Sequence, residues 1–163
     1  MNLQERNEAI LALLKRDARI PVQEIADRLV LQPQEISQAI EEMERQGTIL
    51  GYTTLLGNEE ERQTRAIIEV QIQPERDSGF DAIAQRICKF EEVVSAYLVS
   101  GRYDLHLEVV GNSLQEVAHF VASKLSTQPG VKSCATLFLL KKYKEAGIEF
   151  QKEEGYERLQ VSM

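Results

Sequence analysis

The spacing of apolar residues changes once along this chain, and that change constrains its fold more than any other feature. Before residue 57 the apolar side chains recur every three or four positions. Leu3, Ile10, Leu13 and Leu14 make one stripe, Ile25 and Leu29 a second, and Ile36, Ile40 and Met43 a third. This is the period of helices packed by one face. After residue 63 the spacing drops to two: Ala66, Ile68, Val70 and Ile72 alternate with Ile67, Glu69, Gln71 and Gln73. That alternation reads as a strand. Between the two regimes lies Gly57-Asn58-Glu59-Glu60-Glu61, polar and turn-prone. The pattern predicts a domain over residues 1–56, a linker over 57–63 and a second domain over 64–163.

The first region reads as three helices. One spans 3–16, with Lys15 and Arg16 at the end that favours cations. Ile20-Pro21 resets the chain, because proline suits a first helical turn and disfavours a helical residue before it. A short helix, a connection holding Leu31 and another helix follow, ending at Gln46-Gly47. Thr48-Ile49-Leu50 starts an extended piece. Three helices plus a hairpin make a winged helix ending near Leu55, the shape of a helix-turn-helix DNA reader. Its partner would be double-stranded DNA. Gln34, Ser37, Gln38 and Arg45 on the last helix are the candidate contacts, with Arg28 and Arg19 nearby. Glutamine can read adenine, and serine a base or a phosphate. The same residues also read as a solvated helix face. Charge opposes the DNA reading: Glu35, Glu41, Glu42 and Glu44 stand against Arg45 alone. The whole chain carries −7, so it is no generic nucleic-acid coat. The acidity is shared, with −3 over residues 1–56 and −4 over the remainder.

The second region reads as strand-helix-strand-strand-helix-strand. After Pro74, Asp77 or Ser78 can cap a helix striped by Phe80, Ile83, Ala84, Ile87 and Cys88. Val93 to Ser100 is a strand, Gly101-Arg102 a turn, and Leu105, Leu107 and Val109 alternate with His106 and Glu108 in the next strand. Ser113 and Glu116 have capping-box spacing and open a helix striped by Leu114, Val117, Ala118, Val121 and Leu125. Pro129-Gly130 turns into a last strand, Val131 to Leu140. This order is a ferredoxin-like βαββαβ arrangement, so the chain as a whole is α+β. Both helices cover one face of such a sheet. The other face, with Ile67, Val99, Leu137 and Leu139, is left to meet another copy, which predicts a homodimer. The tail from Lys141, with Tyr143, Ile148, Phe150 and Tyr156, reads equally as an added edge strand, a segment packed on a neighbour or a solvated end.

Several classes are excluded or disfavoured. No apolar run reaches the roughly 18–20 residues that span a bilayer, so no membrane is implied. MNLQERNEAI lacks a signal-peptide core, which makes a cytoplasmic protein the default. Cys88 and Cys134 are too few for a disulfide framework or a zinc site and read as small buried hydrophobes. No cofactor or metal is implied. His106 and His119 are isolated, and no catalytic constellation stands out, so the chain is not expected to be an enzyme.

LQERNEAILALLKRDARIPVQEIADRL, the run ERQGTILGYTTLL, the turn VSGRYDLHLEV and the Pro129-Gly130-Val131 start of the last strand occur in an order that resembles the Lrp/AsnC family of transcription regulators. The resemblance covers at least Leu3 to Leu140. It implies an N-terminal DNA-binding domain and a C-terminal ligand-sensing domain, dimers that assemble into octameric rings, and a small-molecule effector, commonly an amino acid, in a cleft where dimers meet. By position it implies an effector site from Gly101, Arg102, Tyr103 and Asp104, faced by Ser126, Phe138 and Leu139. Gly101 allows close backbone approach, and Asp104 can accept from an α-ammonium group. Asp104 also reads as a turn residue capping its own hairpin. The chain departs from the family pattern at Val30, where the turn between the reading helices usually has glycine, and at Gln32 in place of a capping serine. A β-branched residue resists positive φ, so the turn is expected to differ or to keep φ negative. Ala39, Glu41 and Glu42 stand where arginines are common. Two functions follow: a ligand-responsive regulator that binds DNA, or a sensing module with weakened DNA binding that acts through partner proteins. Sirohaem decarboxylases share the two-domain build, but the chain lacks residues that suit that chemistry.

Overall fold

A computed structural model describes residues 2–57, 62–73 and 79–150. The chain divides into two compact units, Met1–Thr54 and Leu55–Met163. In the first, α1 (Leu3–Leu14), α2 (Val22–Leu29) and α3 (Pro33–Arg45) enclose Ile10, Ile25, Ala26, Ile36, Ala39 and Met43. The three expected stripes are the faces that meet, except that Leu3, at the first turn of α1, is exposed. Asn2 starts α1 with a reciprocal cap: its side chain accepts from the Glu5 N–H at 2.9 Å, and its own N–H donates to the Glu5 carboxylate at 2.8 Å. Gly47 ends α3 at φ 75°, with the Thr48 N–H returning to Met43 O at 2.8 Å and the Gly47 N–H to Glu44 O at 3.1 Å. This is a Schellman closure, which needs a left-handed residue where glycine stands.

The hairpin expected after this turn is not paired. No strand forms between Gln46 and Gly57. Ile49 packs on the helical core, but Leu50, Tyr52 and Leu56 are exposed. Gly51 interrupts the short apolar run, and no second alternating run follows within the unit to supply a ladder partner. The wing is an unpaired arm.

In the second unit β1 (Thr64–Ile72), β2 (Val93–Leu98), β3 (Leu105–Gly111) and β4 (Val131–Phe138) form an antiparallel sheet in the order β2-β3-β1-β4. The ferredoxin-like expectation holds. Ala66, Ile68, Val70 and Ile72 of β1 and Leu105, Leu107 and Val109 of β3 are buried against α4 (Gly79–Ile87) and α5 (Leu114–Phe120), with Ile83, Ile87, Val117 and Phe120. Phe90 meets Phe120 edge-on, ring centres 5.5 Å apart. Helix α5 runs on into a π-helical turn, Val121–Leu125, closed by the Ser126 N–H on Val121 O at 2.9 Å. That wider turn places Leu125 in the core. Leu114, Ala118, Phe80 and Cys88, expected on buried stripes, are exposed instead. Each helix is so short that only its central turns reach the sheet, and Cys88 lies past the end of α4. Cys134 is half-buried, as expected. The caps proposed at Asp77 or Ser78, Pro74 and the tail residue Tyr156 lie outside the described residues.

The start of the tail resolves one open alternative. It is not an edge strand of the main sheet. β5 (Lys144–Glu145) and β6 (Ile148–Glu149) pair with each other around Ala146 and Gly147, at φ 46° and 84°. Two successive positive φ values make the tight turn that matches strand twist. The second sheet face stays uncovered by helix. Val99, Leu137 and Leu139 are exposed on or beside it, with Tyr97. Among the described residues no helix is long and apolar enough to cross a membrane, and no group of His, Cys, Asp and Glu is placed to hold a metal ion.

Candidate functional site

The first site is the outward face of α3. At 100° per residue, Ile36, Ala39 and Met43 point to the core, and Gln34, Gln38, Glu41 and Arg45 form the opposite row. Ser37 flanks the row on one side and Glu42 on the other. Four of the six residues expected to contact DNA therefore share a face, with Glu41 in its middle. Gln38 and Glu42 also line a groove of about 330 Å³ with Leu3, Arg6 and Asn7 of α1. Gln32 makes no side-chain cap. Pro33 at the first position and the Glu35 carboxylate, which accepts from the Gln32 N–H at 3.0 Å, start the helix in its place.

The guanidinium groups of Arg45 and Arg28 are engaged within the unit. Glu42 accepts from Arg45 Nε at 3.1 Å and from its Nη2, and also takes the Gln46 amide. The pair holds the Glu42 carboxyl below its usual range and the Arg45 guanidinium above its own. Arg28 pairs with Glu24 one turn earlier on α2. Arg19 is exposed; its backbone N–H donates to Asp17 Oδ1 at 2.8 Å. Glu44 accepts from the Tyr52 hydroxyl at 2.9 Å; burial and this carboxylate push the phenol up. Both Glu–Arg pairs follow ordinary helical spacing and were legible as such.

The turn between α2 and α3 departs from expectation. Val30 takes φ 56° and ψ 48° with its side chain 90% exposed. Its own N–H and that of Leu31 both return to Ala26 O. The backbone closure keeps its left-handed form although the residue there is β-branched.

The second site is split by the sheet. Asp104 sits where β3 begins: its N–H donates to Val70 O at 2.9 Å, and its Oδ2 accepts from the Ile72 N–H at 2.7 Å. It caps the end of β1. Gly101 has φ 148° and open space at its Cβ position, and the Arg102 guanidinium lies over the Tyr103 ring at 5.6 Å. Ser126 lies near the same end of the sheet on the β4 side, its hydroxyl 3.8 Å from Cys134 Sγ. Burial pushes that thiol up. Phe138 and Leu139 lie at the other end of β1: Phe138 pairs with Ala66, and the Leu139 N–H donates to Arg65 O at 2.9 Å. Four to six strand residues separate them from the turn, roughly 13–20 Å. One chain does not bring the seven residues together.

A third cluster went unread in the sequence. Arg65 meets Glu108 at 2.6 Å and Glu145 at 3.7 Å; Glu145 meets Lys142 at 3.1 Å; Ser95 donates to Glu108 at 3.1 Å. These half-buried charges join the tail to the uncovered sheet face. Glu108 stands opposite Ile67, two residues along β1 from Arg65, so alternation could have placed both on that face. The tail contacts had no comparable signal, because Ala146 is a poor turn residue.

Comparison with known proteins bears directly on both units. Residues 3–49 match a winged helix-turn-helix DNA-binding model, and residues 65–148 match the Lrp/AsnC ligand-binding domain, which spans more than half of the chain. The chain belongs to the Lrp/AsnC family. The uncharacterised HTH-type transcriptional regulator YugG of Bacillus subtilis is 38% identical over 99% of this chain and 99% of its own. Regulatory protein AsnC of Haemophilus influenzae is 26% identical over 83% and 90%. A transcriptional regulator of Neisseria meningitidis, solved as an L-Met complex, superposes with a TM-score of 0.70 at 26% identity, covering 86% of this chain and 91% of its own. This Lrp/AsnC chain is a transcription regulator with a DNA-binding unit and a ligand-binding unit. These relatives are transcription regulators.

Proposed function

We propose that this Lrp/AsnC regulator is a cytoplasmic, amino-acid-responsive DNA-binding protein whose reading head is short of phosphate contacts and works through assembly. The observation that carries the proposal is the outward row of α3. It presents Gln34, Gln38 and Arg45 for base contact but places Glu41 among them and ties Arg45 to Glu42. Phosphate neutralisation supplies most non-specific affinity, so each such head binds weakly alone. A homodimer formed through the uncovered sheet face, and octameric rings of dimers, would raise binding through effective concentration. The effector would lie where dimers meet. The Gly101–Asp104 turn of one copy, Ser126, and Phe138 and Leu139 of another would complete a pocket that no single chain closes. The L-methionine complex of the Neisseria relative supports an amino acid as the ligand.

Gel retardation of the protein's own upstream region at low salt, with and without each free amino acid, tests this. Retardation that changes with one amino acid is expected. No retardation of any promoter fragment under either condition defeats the proposal. The Glu24–Arg28 and Glu42–Arg45 pairs also favour a second reading, a sensing module that acts through protein partners or mixed oligomers. Clear DNA binding by the protein alone, with no co-purifying partner, eliminates it.

A further inference from the structure

Helix α5 carries two apolar stripes, and the fold buries one of them. At about 100° per residue, Val117 and Phe120 define one direction, and an α-helix continued from them puts Lys124 next on it. Leu114, Ala118, Val121 and Leu125 define a second direction, about 100° further round. In the structure Val117 and Phe120 are buried, with Phe120 edge-on to Phe90. The residue that completes their stripe is Leu125, not Lys124. The π-turn makes that exchange. Its extra residue carries Leu125 to the place Lys124 would take and leaves Lys124 outside, bonded to Glu92 at 2.5 Å. Leu114 and Ala118 are exposed in consequence.

Side chains hold the carbonyls around this turn. Ser123 Oγ donates to His119 O at 2.6 Å, Thr127 Oγ1 lies 3.0 Å from both Ser123 O and Lys124 O, and Gln128 Nε2 donates to Lys124 O at 3.1 Å. A helix straightened to α through this turn keeps Leu125 in the core only if α5 rotates by one residue. That rotation brings Leu114, Ala118 and Val121 inward and Phe120 outward. One large apolar side chain is exchanged for smaller ones, so the two registers bury similar apolar surface. The helix also spans the two separated groups of effector candidates. Leu114 lines a cavity of about 500 Å³ with Phe138, Leu139 and Leu140, and the Ser126 N–H closes the π-turn at the other end.

We propose that α5 and its π-turn are a two-register switch. The helix rotates by about one residue between the Val117–Phe120 stripe and the Leu114–Ala118–Val121 stripe. The second register withdraws Leu114 from the cavity beside Phe138 and Leu139 and so opens it to the side chain of an amino acid. This coupling rests on the effector role proposed above; the two registers do not.

Methyl relaxation dispersion on the full-length protein reads the registers directly, because it detects a minor state that exchanges in microseconds to milliseconds. Exchange is expected at the methyls of Leu114, Val117, Val121 and Leu125, and not at those of Leu13 and Leu29 in the first unit. Ala118→Leu, exposed in the observed register and buried in the other, is expected to enlarge the minor population about tenfold. Deletion of Ala122 sets Val117, Phe120 and Leu125 on one α-helical stripe with no π-turn and is expected to abolish the exchange. If the deletion does not fold, Ala118→Leu decides alone. Flat profiles in the parent, or a minor population that Ala118→Leu leaves unchanged, overturn the switch. Gel retardation with the panel of free amino acids tests the coupling. Ala118→Leu is expected to respond at severalfold lower amino-acid concentration than the parent, because more of it is already in the open register. A variant that responds at the same concentration as a responsive parent overturns the coupling and leaves the proposed function intact. A parent that responds to no amino acid defeats both.

Discussion

Val30 is the residue at which local preference and fold disagree most openly. A non-glycine residue in the left-handed region costs about 1–2 kcal/mol, and here the side chain is almost wholly in solvent. Val30→Gly is therefore expected to stabilise the protein by about 1 kcal/mol in urea unfolding, since little packing is lost. An unchanged or lower midpoint would mean that the turn is not held in this conformation. The departure from glycine was legible in the sequence; its resolution was not. Two N–H groups converging on Ala26 O outweigh the preference of one β-branched residue. Asp104 shows the converse. Both of its readings came from the same residue type, and the Ile72 N–H at 2.7 Å gives it a capping role whatever it does for a ligand. Asp104→Ala leaves that backbone donor without its partner and is expected to cost about 1–3 kcal/mol, with Asn largely restoring it. Equal stability of the Ala and Asn variants would show that the cap contributes nothing.

Elements were legible where periodicity ran long and unreadable where it ran short. The three helices of the first unit and the strand order of the second follow from spacing alone. The wing did not form a ladder, because Thr48–Leu50 is three residues long and Gly51 follows. The stripe of α5 takes in Ala118 and Val121 at α-helical spacing, whereas Val117 and Phe120 are buried and the π-turn at Val121–Leu125 sets the next buried residue, Leu125, five positions on. No sequence rule marks that turn. One tie across elements has a pH signature. Lys124, just inside the π-turn, bonds Glu92 ahead of β2 and holds its carboxyl below the usual carboxylate range. A depressed folded value means stability present above the ordinary pKa of about 4.3 and lost as pH falls through the lower folded value. Glu92→Gln is expected to be slightly less stable than the parent at pH 8 and to converge with it in acid, which flattens the acid limb of the stability profile. Partial exposure keeps the effect small. An acid limb as steep in the variant as in the parent would assign the pH dependence elsewhere.

At the scale of the molecule, the uncovered sheet face and the acidic reading head bear on the same property, assembly. The face could be named from alternation, because βαββαβ order puts both helices on one side. That the chain's own tail stands on part of it could not, since the contacts from Lys142 and Glu145 to Arg65 and Glu108 join positions with no shared period. Leu137, 51% exposed on that face, can be changed without disturbing the core. Leu137→Glu is expected to shift the protein toward monomer in sedimentation at micromolar concentration; an unchanged oligomer would place the contact between copies elsewhere. The effector residues make the same point from the other side. The family resemblance named them, but β1 keeps Phe138 and Leu139 a strand's length from Gly101–Asp104.

The central claim is that α3 faces DNA with too few phosphate contacts. Its most direct test is the salt dependence of binding to the upstream fragment, for the parent and for a Glu41→Arg, Glu42→Arg double variant. The parent is expected to bind with a shallow slope per protomer. The variant is expected to bind more tightly across all sequences and with a steeper slope, by roughly one unit for each additional phosphate neutralised. Equal affinity and equal slope in the two proteins would contradict the account, because this helix face would then not lie near DNA.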